Sequence, residues 1–399
     1  MPLSNHNELD KTAEEHRRES VQQPRMTYVI PNFDATGPWR GPYQICGGFV
    51  RRGWDVKIVA LASAQNRAID RVWQKIPVQK VDGRSLRLRQ IRLFLRLLGR
   101  RNSEVVFAVV WHRYCIALAF SKLLWGNPYV VWLDGYTHRA SWDAQGWWAR
   151  IRAGLKYGLP LRFADLVLAD APICFDHTRK YFPHTPTLLV PPCLWESELR
   201  QIERRWQVAG WQGERQPIIL FTGRIVPRKN LHDLVEAFIS LADKYPDWKL
   251  ELRGPVEDAA YYGELVARIQ ASGMAGRIRL ESPLFGEELY KRYRCSSIYC
   301  LPSTGEAVPT TILEAMYFGG AIVAGNSGHV GYMLDGGRCG YLFNPGNVEQ
   351  LVSRLDRLMG DEREREALMK RARERLIAEF TWERYFDQIE QHLRRVLKV

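Results

Sequence analysis

The sequence has no run of 18 or more apolar residues, so no membrane-crossing helix is expected in it. Its opening segment, MPLSNHNELDKTAEEHRRESVQQPR, lacks an apolar core, so it is not expected to be a secretory leader. Nothing in that segment can form a buried face, and residues 1–26 are expected to be a disordered tail. The seven cysteines (Cys46, Cys115, Cys174, Cys193, Cys295, Cys300, Cys339) show no C-x-x-C spacing. Neither a zinc site nor a disulfide framework is expected, and a reducing cytoplasm follows as the compartment. No D-x-D pair occurs, so the usual acidic clamp between a metal and a diphosphate is missing. Acid is short in one half only: residues 1–200 hold 29 Lys+Arg against 17 Asp+Glu, and residues 201–399 hold 28 against 27. The excess of +12 in the first half calls for an anionic partner there, whether a membrane surface, nucleic acid or a phosphorylated acceptor.

What the chain does contain is a soluble, globular composition, 46% apolar and 25% charged, over 399 residues, enough for two or three domains. Its most informative stretch is Leu301–Gly319, LPSTGEAVPTTILEAMYFG. An apolar strand at 297–301 leads through a small-residue loop into an amphipathic helix with Pro309 expected at N1. Glu306 lies in the loop and Glu314 just over a turn into the helix. The N–H groups of Ala307, Val308, Thr310 and Thr311 lack helical acceptors, and with the helix dipole they favour an anion. Two carboxylates beside an anion site suit hydroxyls rather than phosphate, so the ligand should carry both phosphate and sugar. About eighty residues upstream, PIILFTGRIVPRKNLHDLVEA (Pro217–Ala237) runs from a strand ending at Thr222-Gly223 through Arg224, Arg228 and Lys229 into a helix at Asn230. That is a second phosphate-sized positive pocket at the carboxyl end of a parallel strand.

The GR-x-x-x-x-K pattern (Arg224, Lys229), the E-x7-E pair (Glu306, Glu314) and the run GGAIVAGNSGHVGYML…GYLF resemble the retaining nucleotide-sugar glycosyltransferases of GT-B fold, group 1 or family 4 in type. The resemblance covers residues 217–358 well and the first half more loosely. It implies an α/β chain of two Rossmann-like, doubly wound domains facing a central cleft. The expected divisions are 27–194 for an acceptor-binding domain, 195–216 for a connector, 217–380 for a nucleotide-sugar-binding domain, and 381–399 for a last helix returning to the first domain.

In the first half, strands are expected at 27–32, 55–62, 76–81, 104–110, 129–133, 165–170 and 187–190. The turn Gly37-Pro38-Trp39-Arg40-Gly41 after the first strand resembles the glycine loop that approaches the transferred sugar and its phosphates. Arg84–Arg101 is the most biased segment. On a helix, Leu88, Ile91, Leu95 and Leu98 cluster on one face, with Arg89, Arg92, Arg96 and Arg100 as a stripe beside it. It reads either as a core-packed helix with a solvated basic face or as a helix lying on an anionic bilayer. Trp142–Phe163, with aromatic rings among cations, suits a lipid–water boundary, an oligosaccharide or a core. Relatives often place a histidine near the sugar after the second of the central strands. Here Asp134 takes that position and His138 follows, so which of them contacts the sugar stays open.

By resemblance, Arg224 and Lys229 stabilise the leaving diphosphate without a metal, Glu314 accepts from the ribose hydroxyls, and Glu306 contacts the transferred sugar. Gly223 and the loop Ala307, Val308, Pro309, Thr310 and Thr311 would hold sugar or phosphate, with Ala307 standing where relatives have glycine. The implied reaction moves a hexose from a nucleotide diphosphate sugar to a glycan or lipid-linked acceptor, with retention and no metal or other cofactor. Its setting would be bacterial cell-surface polysaccharide or glycolipid synthesis, in the cytoplasm or on the inner face of the membrane. Read without a ligand, Arg224 and Lys229 belong to a surface basic loop, Glu314 to a helix surface and Glu306 to a helix cap. Arg228 reads as a solvent residue. The competing classes are a nucleic-acid-binding protein, against which stands the lack of any compact nucleic-acid motif, and a GT-B epimerase or phosphorylase-like enzyme.

Overall fold

The computed structural model describes residues 23–30, 40–61, 76–81, 85–100, 104–109, 114–133, 147–148, 151 and 154–398. The chain divides into two units, 1–190 with 385–399, and 191–384.

The first unit opens with β1 (Arg25–Ile30), α1 (Arg40–Arg51), β2 (Asp55–Leu61), β3 (Val78–Val81), α2 (Leu86–Leu98) and β4 (Glu104–Val109). It continues with α3 (Tyr114–Trp125), β5 (Tyr129–Leu133), a π turn (Gly154–Gly158), α4 (Leu159–Phe163), β6 (Leu166–Ala169), α5 (Pro172–Tyr181) and β7 (Thr187–Leu189). The seven strands form one parallel sheet in the order β3-β2-β1-β4-β5-β6-β7. Helices on both faces explain the near-continuous apolar strands: Val105 to Ala108 and Tyr129 to Val131 are all buried.

The second unit holds α6 (Glu196–Val208), β8 (Gln216–Thr222), a 3-10 turn (Pro227–Lys229), α7 (Leu231–Leu241), β9 (Lys249–Arg253), α8 (Ala259–Ala271) and β10 (Ile278–Glu281). Then come α9 (Gly286–Cys295), β11 (Ser296–Leu301), α10 (Thr310–Phe318), β12 (Ala321–Gly325), α11 (Val330–Met333), β13 (Tyr341–Phe343), α12 (Val348–Gly360) and α13 (Glu362–Glu379). Its six strands are also parallel, in the order β10-β9-β8-β11-β12-β13. Residues 195–216, expected as a connector, carry α6, whose Leu199 and Trp206 are buried in this unit's core.

The last helix, α14 (Trp382–Leu397), starts beside Trp195 and then packs into the first unit. Phe386 meets Phe49 with ring centroids 4.6 Å apart, and Trp54 Nε1 donates to Glu390 Oε1 at 3.0 Å. Arg52 donates to the other Glu390 oxygen at 2.6 Å. Together these contacts hold the end of the chain against α1.

In helix α2 Leu93 and Leu97 are buried and Leu98 packs against the core, while Leu88, Ile91 and Leu95 are exposed, so most of the face read from the sequence as apolar does not meet the core, as the core-packed of the two readings would require. Among the described residues no helix is long and apolar enough to cross a membrane.

Candidate active site

In the second unit the chain moves from β8 outward to β9 and β10, then returns to lay β11 on the other side of β8. The connections after β8 and β11 therefore part to opposite faces of the sheet and leave a crevice at its carboxyl end, the usual ligand position in open α/β sheets. Three loops meet there: 223–230 after β8, 302–309 after β11 and 326–329 after β12.

The first two loops are stitched together by their backbones and charges. The 3-10 turn ends at Asn230, which adopts the left-handed conformation with φ 52°, so the chain turns sharply before α7 begins. Thr304 N donates to the Arg228 carbonyl at 3.0 Å. Lys229 Nζ lies 2.5 Å from Glu306 Oε1, and both side chains are almost wholly buried. Arg228 donates from Nη1 to the Gly305 carbonyl and lies 3.8 Å from Glu306 Oε2. Arg228, expected as a solvent residue, keeps its side chain 40% exposed while the tight turn brings it over the acidic loop. Burial pulls the Lys229 ammonium below the ordinary lysine range, while the Glu306 carboxylate pushes the other way. Arg224 stays about half exposed and pairs with Glu257 at 3.0 Å. It stands at the rim, where an arriving anion can take it over from an exposed partner at little cost.

Two glycines permit this packing. A Cβ on Gly254 would lie 1.7 Å from the Gly223 carbonyl oxygen, so the β8 and β9 loops touch backbone to backbone. At Gly328 the need is double, because φ is +57° and a Cβ would lie 1.6 Å from the Glu306 carbonyl oxygen. The third loop thereby lies directly against the Glu306 backbone, and His329 N donates to the Ala307 carbonyl at 3.0 Å.

Helix α10 supplies the remaining groups. Pro309 is its N-cap, with φ −72° and ψ 111°, rather than the expected N1 residue. The first helical N–H groups are therefore those of Thr310 and Thr311, at the mouth of the crevice. Ala307 avoids the left-handed region, which is the condition under which alanine can keep the loop where relatives have glycine. Glu314 is only 1% exposed, which overturns its reading as a surface acid. Tyr293 Oη meets Thr222 Oγ1 at 2.6 Å and donates to the Thr311 carbonyl at 3.4 Å, tying the end of β8 to the start of α10.

The structure thus gathers Gly223, Arg224, Lys229, Glu306, Ala307, Val308, Pro309, Thr310, Thr311 and Glu314 on the loops and helix at one end of one sheet. Gly37, Asp134 and His138 lie outside the described residues. Among the described residues no three His, Cys, Asp or Glu side chains group as a metal-holding cluster. A recess of about 490 Å³ opens elsewhere in this unit, lined by Arg215, Trp248, Arg294 and Arg365. Its Arg215 already donates to the Ser296 and Gly319 carbonyls, at 2.5 and 2.7 Å. Burial, aided by Arg294, pushes Arg215 down to about 10, and it serves to fasten the end of α10 to the start of β11.

Comparison with known proteins agrees with this geometry. Residues 205–375 match the family model described as glycosyl transferases group 1. A sulfoquinovosyl transferase of Arabidopsis thaliana is 32% identical over 178 residues, covering 44% of this chain and 32% of that one. A D-inositol 3-phosphate glycosyltransferase of Jonesia denitrificans is 29% identical over 188 residues, covering 46% of this chain and 43% of that one. The alignments therefore span less than half the length of either relative. A sucrose-phosphate synthase from Thermosynechococcus elongatus superposes with a TM-score of 0.73 at 17% identity, over 94% of this chain and all of that one. An Anabaena protein in complex with UDP gives 0.70 at 17% identity, over 94% of this chain and 100% of that one. At such identities the structural likeness establishes the fold. Residues 205–375 thus match the glycosyl transferases group 1 model, and the chain is built on the GT-B fold.

Proposed function

We propose that the crevice between the β8 and β11 loops grips a nucleotide diphosphate hexose, and that the chain transfers the hexose with retention to a glycan or lipid-linked acceptor. The observation that carries this reading is the buried Lys229–Glu306 pair, flanked by Arg228 and opening onto the start of α10. An Anabaena protein of the same fold is described with UDP-glucose bound, which supports a nucleotide-sugar donor here.

Breaking the anomeric C–O bond leaves negative charge on the diphosphate. Lys229 and Arg224 meet that charge as fixed cations, and the Thr310 and Thr311 amides add the helix dipole. Glu306, oriented by Lys229 and Arg228, accepts from hydroxyls of the hexose. Glu314, buried within α10, accepts from the ribose hydroxyls. A carboxylate held between two cations is a poor nucleophile, so we favour a front-face displacement in which the leaving phosphate takes the acceptor proton. Because side-chain cations meet the leaving charge, the reaction proceeds without a metal. The acceptor is met at an anionic membrane surface contacted by Arg84–Arg101 and Trp142–Phe163, in the cytoplasm and in the synthesis of surface glycans.

The test is incubation with UDP-, GDP- and ADP-hexoses and a glycan acceptor, with and without EDTA, followed by NMR of the product. An α-linked product from an α-donor, formed equally in EDTA, is expected. An inverted linkage would refute the front-face step, strict metal dependence the metal-free chemistry, and epimerised donor without transfer the assignment as a transferase.

A further inference from the structure

The recess of about 490 Å³ in the second unit lies at the amino ends of β8 and β11, the edge of the sheet opposite the crevice. Its size is that of an ordinary small-molecule site. Three arginines line it, each from a different element: Arg215 just before β8, Arg294 in the last turn of α9 and Arg365 near the start of α13.

Helix ends account for part of this clustering. Arg215 donates to the Ser296 and Gly319 carbonyls, and Arg365 Nη1 donates to the Leu358 and Met359 carbonyls at 2.7 and 3.3 Å, closing the ends of α10 and α12. They do not account for Arg294, which has neither a hydrogen bond nor an ion pair among the described residues. A cation in a last turn suits the helix dipole, but that needs no recess and no further arginines beside it. Arg365 Nη2 has only a loose pair, 3.9 Å from Glu362, whose side chain is 78% exposed. Each guanidinium carries five N–H donors, so several donors around the recess stay unspent.

The three cations also act on one another. Burial and the charges of Arg294 and Arg365 pull the Arg215 guanidinium down to about 10, so an anion placed among them would relieve a repulsion built into the fold. The acids that share the recess, Glu362 and Glu366, stand on exposed residues at its rim, where water screens them. Trp248 and Met359 are buried and give the recess an apolar wall, with the Arg365 guanidinium 5.5 Å from the Trp248 ring centre.

We infer that this recess is a second ligand site and takes a small phosphorylated sugar or polyol. Arg294 and Arg365 meet the phosphate, which suits the planar donor fork of arginine. The wall of Trp248 and Met359 faces the carbon skeleton, and Glu362 and Glu366 accept from its hydroxyls. A bare anion would use the arginines and leave the wall and the rim acids without a role. The inference is independent of the donor proposed for the crevice, which lies at the other end of the strands.

The experiment is calorimetric titration of glucose 6-phosphate, inorganic phosphate and glucose into the full chain and into Arg294→Gln, Arg294→Lys and Lys229→Ala, with a thermal melt of each protein. Glucose 6-phosphate should bind the wild-type chain at least tenfold more tightly than inorganic phosphate does, and glucose should not bind measurably. Arg294→Gln should weaken glucose 6-phosphate at least tenfold with Tm unchanged, Arg294→Lys should keep part of the affinity, and Lys229→Ala should bind as wild type does. Absence of glucose 6-phosphate binding, or equal affinity in wild type and Arg294→Gln, would overturn the inference. Inorganic phosphate binding as tightly as glucose 6-phosphate would reduce the recess to a plain anion site and overturn the assignment to a phosphorylated sugar. Binding lost in Lys229→Ala and kept in Arg294→Gln would put the ligand in the crevice instead.

Discussion

The two units wrap parallel sheets of similar design and treat charge in opposite ways. In the second unit Lys229 and Glu306 close on each other out of water, under Arg228, at the point where the strand order reverses. In the first unit the arginines of α2 lie on the surface and flank exposed leucines. Buried charges are costly unless paired, and the proposed function gives this buried pair a charged ligand to meet. Exposed cations cost little and act collectively on an extended surface. Under the proposed function, one fold carries a point-like recognition site in one half and a diffuse one in the other, and site chemistry rather than architecture separates them.

The sharpest way to break this contrast is Lys229→Ala. Removing a preorganised cation from the leaving group costs about 2.7–4 kcal/mol, a loss on the order of 100- to 1000-fold in kcat. The circular-dichroism spectrum should remain native, and near-normal turnover would mean that Lys229 is structural. Gly328→Ala comes next. It forces a side chain into the left-handed region and against the Glu306 carbonyl, a strain of about 1–3 kcal/mol that should lower Tm and activity together. An unchanged Tm would show that the third loop does not bear on the Glu306 backbone.

A pH series gives a gentler test. The ammonium is the working form of Lys229, and burial lowers its pKa from the ordinary 10.5. As pH rises through that lowered value the ammonium is lost, so kcat/KM should fall on the alkaline side at a pH below 10.5. Lys229→Arg should carry the limb upward. The stability sign is the reverse: between the folded pKa and 10.5 the unfolded chain holds more proton, so this lysine's contribution to stability rises with pH. The smallest effect is expected from Glu257→Gln. It frees Arg224 from an exposed pair worth about 0–1 kcal/mol, so donor affinity should improve by roughly fivefold at most. A larger change would mean that Glu257 does more than hold an idle cation.

Much of the second unit was legible because local patterns suffice there. Apolar strands, small-residue loops and helix starts follow one another, and the strand bounds expected at 217–222 and 297–301 lie within a residue of β8 and β11. What escaped depends on contacts distant in sequence. The three cations Arg224, Arg228 and Lys229 look alike in the chain, and only the 3-10 turn closed by Asn230 decides that Arg228 crosses to Gly305. The demand on Gly254 and Gly328 comes from neighbouring loops, not from their own turns alone. Around residue 206, tryptophan-containing polar segments suggested a linker, whereas Trp206 is buried and donates to Glu287 at 2.6 Å from an amphipathic helix. In α2 two apolar faces compete, Leu88-Ile91-Leu95 and Leu93-Leu97, and periodicity cannot choose between them without the neighbouring α3.

The most direct measurement is calorimetric titration of UDP, GDP and ADP into the wild-type chain and into Lys229→Ala. One diphosphate should bind the wild-type chain, and the variant should bind the same nucleotide at least tenfold more weakly with its fold intact. Equal affinities in the two proteins would contradict a diphosphate site at the β8–β11 crevice.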